Sequence, residues 1–339
     1  MSGKEKPGDP IAGMAAAVIA GNRRSLARAI TLIESTREDH QAQAQDLLRR
    51  LAGAAGRTIR VGISGTPGVG KSTFIEVFGL HLTAAGHRVA VLAVDPSSRR
   101  SGGSILGDKT RMEQLARDQN AFIRPSPTGG TLGGVARRTR ESMLAVEAAG
   151  FDVVLVETVG VGQSETAVAD MVDFFLLLQA PGGGDELQGI KRGIMELADL
   201  LVVNKADGDL KPAAGRAAAD YRAALSLIRP KSPLWTAEVV MISALTGDGV
   251  ADVWERIEAF RAIVEADGAF AELRARQARQ WMWSEVSERL VAALRAAPDV
   301  AARMADIERD VAIGRLTPNQ AAAFLVRLFR ASTEAAPEA

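Results

Sequence analysis

Residues 58–265 alternate short apolar runs with stretches whose apolar positions recur at helical spacing. The runs are Arg60–Ser64, Val89–Asp95, Ala121–Arg124, Val153–Glu157, Phe174–Gln179, Leu200–Asn204 and Val239–Ser243. Several are apolar throughout rather than alternating, as strands buried on both faces of a parallel sheet are. Seven such runs separated by helices predict an α/β fold, a doubly wound and mostly parallel sheet. Ligands of such sheets sit at the carboxyl ends of the strands, so chemistry is expected just after each run.

The flanks lack strand signals. Residues 11–56 are rich in Ala, Arg and Leu and predict two or three helices. Their opening, IAGMAAAVIAG, resembles the core of a signal peptide, but it runs straight into NRRSLARAITLIE, and an amphipathic helix fits better. From about residue 266 the strands stop. Residues 268–297 predict one long helix carrying Phe270, Leu273, Trp281, Val286, Leu290 and Leu294, which Pro298-Asp299 breaks while capping the next. Thr317-Pro318 predicts a last helix with Thr317 as N-cap and Pro318 in its first turn. The expected division is an N-terminal helical extension (1–57, with the polar residues 1–10 disordered), the strand-bearing α/β domain (58–265), a C-terminal helical arm (266–331) and a disordered tail (332–339).

Composition narrows the chemistry. The 339 residues carry 41 Lys+Arg and 41 Asp+Glu, a formal net charge of zero. That balance gives no reason to expect nucleic-acid or membrane-surface binding. There is no cysteine, and the three histidines, His40, His81 and His87, are scattered. A dedicated transition-metal site would be short of ligands. No run of about 20 apolar residues is present, so no membrane span is expected and the cytoplasm is the default location.

The first run leads into Gly65-Thr66-Pro67-Gly68-Val69-Gly70-Lys71-Ser72-Thr73, which matches G-x-x-x-x-G-K-[ST] between a strand and a helix. Glycines let backbone N–H groups turn inward around phosphates, and the helix N-terminus adds its positive dipole. Lys71 is expected at the β- and γ-phosphates and Ser72 on Mg²⁺. The sixth run ends in Asn204-Lys205-Ala206-Asp207, an N-K-x-D pattern. A carboxylate offers two acceptors and no donor, which suits the paired N1–H and N2–H₂ donors of guanine and not adenine. Asp207 is therefore expected to select guanine, with Asn204 tying this loop to the P-loop and the Lys205 stem covering the base. Ser243-Ala244-Leu245 follows the last run, where GTP-binding folds place backbone N–H groups against guanine O6.

Three acids stand near these tips: Asp95 and Glu157 end the second and fourth runs, and Asp108 lies in the polar loop SGGSILGDKTR. With Ser72 they are the candidate Mg²⁺ ligands, directly or through water. Glu157-Thr158-Val159-Gly160 occupies the place of a D-x-x-G motif, whose glycine N–H senses the γ-phosphate. Val161 then stands where Ras-like proteins carry a water-orienting Gln, which predicts slow hydrolysis accelerated by a partner. A second Gly-rich loop, residues 180–191, ends in Lys191 and reads as a third switch. Lys71, Asp108, Glu157 and Lys191 are the candidate catalytic groups.

Long strings extend these motifs: GTPGVGKST, AVLAVDPSSRRSGGSILGDKTRM, FIRPSPTGGTLGGVARRTRE, FDVVLVETVGVGQSE, PGGGDELQGIKRG, VNKAD and WMW. Over residues 11–331 the chain resembles the MeaB/ArgK family, the GTPase chaperones of adenosylcobalamin-dependent methylmalonyl-CoA mutase related to the methylmalonic aciduria type A protein. The resemblance implies a homodimer whose C-terminal arm dimerises, and a Mg²⁺ site involving Ser72, Asp95, Asp108 and Glu157. It also implies bound GTP or GDP, a mobile third switch with Lys191 as its functional lysine, and a mutase partner whose cofactor loading is gated and which is protected from inactivation. Arginine-transport names attached to the family find no support in these residues. Three other readings compete: a nickel-insertion GTPase, short of Cys and His here; a P-loop kinase, disfavoured by N-K-x-D; and a scaffold that holds nucleotide without turnover.

Overall fold

The computed structural model describes residues 9–54, 57–94, 112–125, 132–158, 164–182 and 192–334. Three helices precede the first strand. Asp9 caps α1 (Pro10–Ile19): its carboxylate accepts from the N–H of Ile11 at 3.0 Å and of Ala12 at 3.3 Å. Asn22 caps α2 (Arg23–Glu34) through the N–H of Ser25 at 2.9 Å. The third helix, α3 (Glu38–Leu51), opens on Glu38 and Asp39 and closes on Arg49 and Arg50, charges that complement its dipole.

The strands are β1 (Ile59–Gly65), β2 (Val89–Val94), β3 (Ala121–Arg124), β4 (Val153–Thr158), β5 (Phe174–Gln179), β6 (Leu200–Val203) and β7 (Glu238–Met241). They pair in the order β3-β2-β4-β1-β5-β6-β7. Every pair is parallel, so the sheet is more uniform than the mostly parallel one expected. Val61 sits opposite Leu155 of β4 and Phe174 of β5. With β2, β3 and β4 to one side of β1 and β5, β6 and β7 to the other, the loop after β1 opens at the point where strand order reverses.

Between the strands run α4 (Lys71–Ala84), α5 (Glu113–Arg117), α6 (Leu132–Ala148), α7 (Ser164–Ala169), α8 (Arg192–Met195) and α9 (Lys211–Leu225), and α10 (Val250–Ala266) follows β7. Successive strand residues point to opposite faces. Val89 and Val91 accordingly pack with Phe74, Phe78 and Ile257 of α4 and α10. Ala90, Leu92 and Val94 pack with Val146 of α6 and with Leu26, Ile30 and Leu47 of the N-terminal helices. The N-terminal extension is thereby part of the core on one side of the sheet.

Charged side chains also enter this core, at the amino ends of β1 and β5. Arg60 holds Glu147 of α6 through Nε at 2.5 Å and Nη2 at 2.9 Å. The Asp173 carboxylate, wholly buried, accepts from the backbone N–H of Arg60 at 2.8 Å. It also accepts from Nε and Nη2 of Arg274, both at 2.6 Å, and Arg274 Nη2 reaches the carbonyl of Thr58 at 3.0 Å. Arg274 lies in the first turns of α11 (Ala269–Ala296).

Packing divides the chain into two units, Met1–Ala275 and Arg276–Ala339, so the division falls inside α11, ten residues beyond the 265/266 boundary read where strands end. The second unit contains the rest of α11, α12 (Pro298–Ala312) and α13 (Pro318–Glu334). Ala297, not Asp299, is the cap residue of α12; Pro298 opens the helix and Asp299 lies in its first turn, where its charge meets the dipole without capping it. The expected cap at Thr317 is present, its hydroxyl accepting from the N–H of Gln320 at 3.3 Å. No helix of the described residues is long and apolar enough to cross a membrane.

Candidate functional site

Gly65 to Thr73 leave β1 and enter α4 as the motif requires. At Gly65, φ is +153° and a Cβ would lie 2.4 Å from the carbonyl oxygen of Leu178, so only glycine lets the chain leave the sheet against β5. Gly70 has φ +95°, and a Cβ there would meet the Asn204 amide at 2.6 Å. Val69 between them is buried among the residues that pack α4, while Pro67 and Gly68 are exposed. The loop is pinned at its middle and open at its tip.

Lys71 folds back over the loop, Nζ donating to the carbonyls of Gly65 at 2.7 Å and Thr66 at 3.4 Å. Burial pushes its ammonium below its ordinary pKa, against the pull of the Glu157 and Glu165 carboxylates. A polyphosphate would offer this cation stronger acceptors than two carbonyls do. The next residue, Ser72, donates its hydroxyl to Glu157 Oε1 at 3.4 Å. Glu157 is buried near the end of β4, and beside it Thr158 Oγ1 donates to Ser64 Oγ at 2.9 Å. The fourth strand is thereby fastened to β1 just below the loop. Thr73 is exposed on the first turn of α4.

The loops after β6 and β7 meet the loop after β1 through Asn204. Its Nδ2 donates to the carbonyl of Val69 at 2.9 Å, and its Oδ1 accepts from the N–H of Ala244 at 3.0 Å. Lys205 adopts φ +62°, the one positive φ outside glycine among the described residues, and its Nζ donates to the carbonyl of Gly68 at 2.8 Å. A strained backbone at a converging point of three loops is common at binding sites. Asp207 is partly buried, and its carboxylate accepts from the Ser243 hydroxyl. Ser243 Oγ in turn accepts from the N–H of Thr246 at 3.1 Å. Leu245 is exposed.

The structure therefore brings Gly65–Thr73, Glu157, Asn204–Asp207 and Ser243–Leu245 to one end of the sheet. Sequence reading missed the side-chain role of Ser243, which orients Asp207, and the engagement of the Ala244 N–H by Asn204. A hydroxyl residue at the end of the seventh run was the available signal for the first; the second depends on a contact between positions 40 residues apart. Asp95, Asp108, Gly160, Val161 and Lys191 lie outside the described residues, as do the segments 1–8 and 335–339. Among the described residues no three His, Asp or Glu side chains gather as a metal site.

Comparison with known proteins shows the family to which the chain is similar. The family described as methylmalonyl-CoA mutase-associated GTPase MeaB matches residues 26–299. The chain is 50% identical to the mitochondrial methylmalonic aciduria type A homolog of Mus musculus, over 92% of this chain and 78% of that one. It is 51% identical to the GTPase ArgK of Escherichia coli (strain K12), over 80% of this chain and 82% of that one. A crystal structure described as a LAO/AO transport system kinase aligns with a TM-score of 0.76 at 38% identity, covering 96% of this chain and 100% of the other.

Proposed function

The chain belongs to the MeaB family of methylmalonyl-CoA mutase-associated GTPases, and from that premise we propose that it is a Mg²⁺-dependent GTPase chaperone of an adenosylcobalamin-dependent methylmalonyl-CoA mutase. In this reading it gates cofactor loading, protects the mutase from inactivation, and uses hydrolysis of GTP to GDP and phosphate as its timer. The observation that carries the nucleotide part is Asn204, which holds the base loop that bears Asp207 against the phosphate loop that bears Lys71.

GTP fits that frame residue by residue. Asp207, its carboxylate oriented by the Ser243 hydroxyl, accepts from guanine N1–H and N2–H₂. Because Asn204 already uses the Ala244 N–H, the neighbouring N–H of Leu245 is the donor for guanine O6. Lys71 exchanges its loop carbonyls for the β- and γ-phosphates. Ser72 and Glu157 supply adjacent hard oxygen donors beside that lysine, which suits Mg²⁺, with Asp95 and Asp108 as the further ligands. The ion would neutralise charge on the phosphates. Gly160 senses the γ-phosphate, and Val161 beside it orients no water, so turnover alone is slow. Lys191 on the third switch supplies the partner-dependent step, and the protein acts as a homodimer.

Turnover of GTP with and without purified adenosylcobalamin-dependent methylmalonyl-CoA mutase, with complex formation followed by size exclusion, tests this reading. The expected result is slow release of phosphate by the isolated protein and a marked increase with the mutase. Lys191→Ala is expected to keep GTP affinity and lose the increase. Turnover by the isolated protein as fast as with the mutase, or no co-elution, would reject the chaperone role.

A further inference from the structure

The molecule holds a second concave site to which none of the nucleotide residues contributes. A cleft of about 950 Å³ opens between the N-terminal helices and α6. Met14, Ala27 and Leu32 give it an apolar wall, and Arg24, Arg28 and Arg138 line it as cations.

Arg138, on α6, decides what the cleft suits. Its residue is only 9% exposed, and among the described residues its Nε–H has no hydrogen-bond partner. A buried guanidinium N–H without an acceptor is costly, and an apolar side chain there would pack at less cost. Arg24 and Arg28 stand one turn apart on α2, a like-charge spacing that disfavours the helix unless an anion lies between them. Among the described residues neither they nor Arg138 has a carboxylate partner. The other charges of the lining are spent: Glu34 is held by Arg124, whose Nε lies 3.1 Å away, and Arg37 by Asp39 at 2.7 Å. His40 Nδ1 lies 2.8 Å from Ser35 Oγ. Three uncompensated guanidinium groups, one of them buried with an orphaned donor, thus face a cleft with an apolar wall and room for a small organic molecule.

We propose that this cleft binds a phosphate-bearing anion, with Arg138 as its buried contact and Arg24 and Arg28 closing on it from the rim. The planar fork of a guanidinium matches phosphate oxygens, and three cations suit a dianion better than a single carboxylate. The apolar wall favours a phosphate ester over the free ion.

The full-length protein, its P-loop saturated with GDP and Mg²⁺, is titrated calorimetrically with phenyl phosphate and separately with inorganic phosphate. Binding of phenyl phosphate that weakens by about tenfold or more in Arg138→Gln supports the proposal, since a charge-assisted hydrogen bond is worth at least that much. The double variant Arg24→Gln/Arg28→Gln, altered only at exposed positions, is expected to weaken binding similarly and to keep the wild-type unfolding temperature; it decides the matter if Arg138→Gln does not fold. Equal affinity for inorganic phosphate supports the site with the free ion as its source. Absence of binding by both probes, or binding unaltered in the rim variant, overturns it.

Discussion

Asp207 is oriented by the Ser243 hydroxyl, and a carboxylate offers a base acceptors and no donor. Replacing it by asparagine exchanges one acceptor for an NH₂ donor. Xanthine carries a carbonyl where guanine carries its amino group, so the new donor finds an acceptor there and faces a like donor in guanine. Asp207→Asn is expected to lower GTP affinity by about thirtyfold, roughly 2 kcal/mol, and to raise xanthosine triphosphate affinity, as read by competition against a labelled guanine nucleotide. Retained preference for GTP would take Asp207 out of base recognition. This residue was legible in the sequence because chemistry dictates its type and its place after a strand. The contacts that aim it were not: Ser243 lies 36 residues away, and Asn204 reaches a phosphate-loop carbonyl 135 residues away.

At the scale of elements, the strands were legible because burial on both faces of a parallel sheet leaves little choice of residue. Ala121–Arg124 and Phe174–Gln179 are observed with the bounds read from the apolar runs, and the other strands differ by one or two residues at their ends. The ion cluster beneath them was not legible, since nothing in the spacing of Arg60, Glu147, Asp173 and Arg274 along the chain shows that the fold brings them together. Asp173 joins the start of β1, the start of β5 and the first turns of α11. Its removal leaves two arginines sharing Glu147, at 2.5 Å from Arg60 and 3.6 Å from Arg274. Asp173→Ala is expected to cost about 3–5 kcal/mol in denaturant unfolding, the penalty of stranding buried charge. A loss below about 1 kcal/mol would show that water or Glu147 replaces it.

At the scale of the molecule, the strand-bearing unit and the C-terminal unit have different surfaces. On α11 the side chains of Met282, Val286 and Leu290, spaced four residues apart, are exposed along with Trp283 and Val291. Apolar residues in such a stripe are a usual site of self-association. On the proposed homodimer, Met282→Glu/Leu290→Glu is therefore expected to halve the mass seen by sedimentation while GTP binding persists; a wild-type protein already of monomer mass would reject the dimer, and a dimer unchanged in mass by the variant would place its contact elsewhere. The strand-bearing unit imposes an order of its own on synthesis. A chain emerging from the ribosome completes its phosphate loop early, but Asn204 has no second anchor until Ala244 has followed. Guanine nucleotide is therefore expected to favour the completed chain over a half-made one, because ligand stabilises the form that binds it. A copy that stops short of Ala244 lacks the second anchor of Asn204 and is expected to bind GTP more weakly than the whole chain, so nucleotide occupancy would report on completion of the sheet.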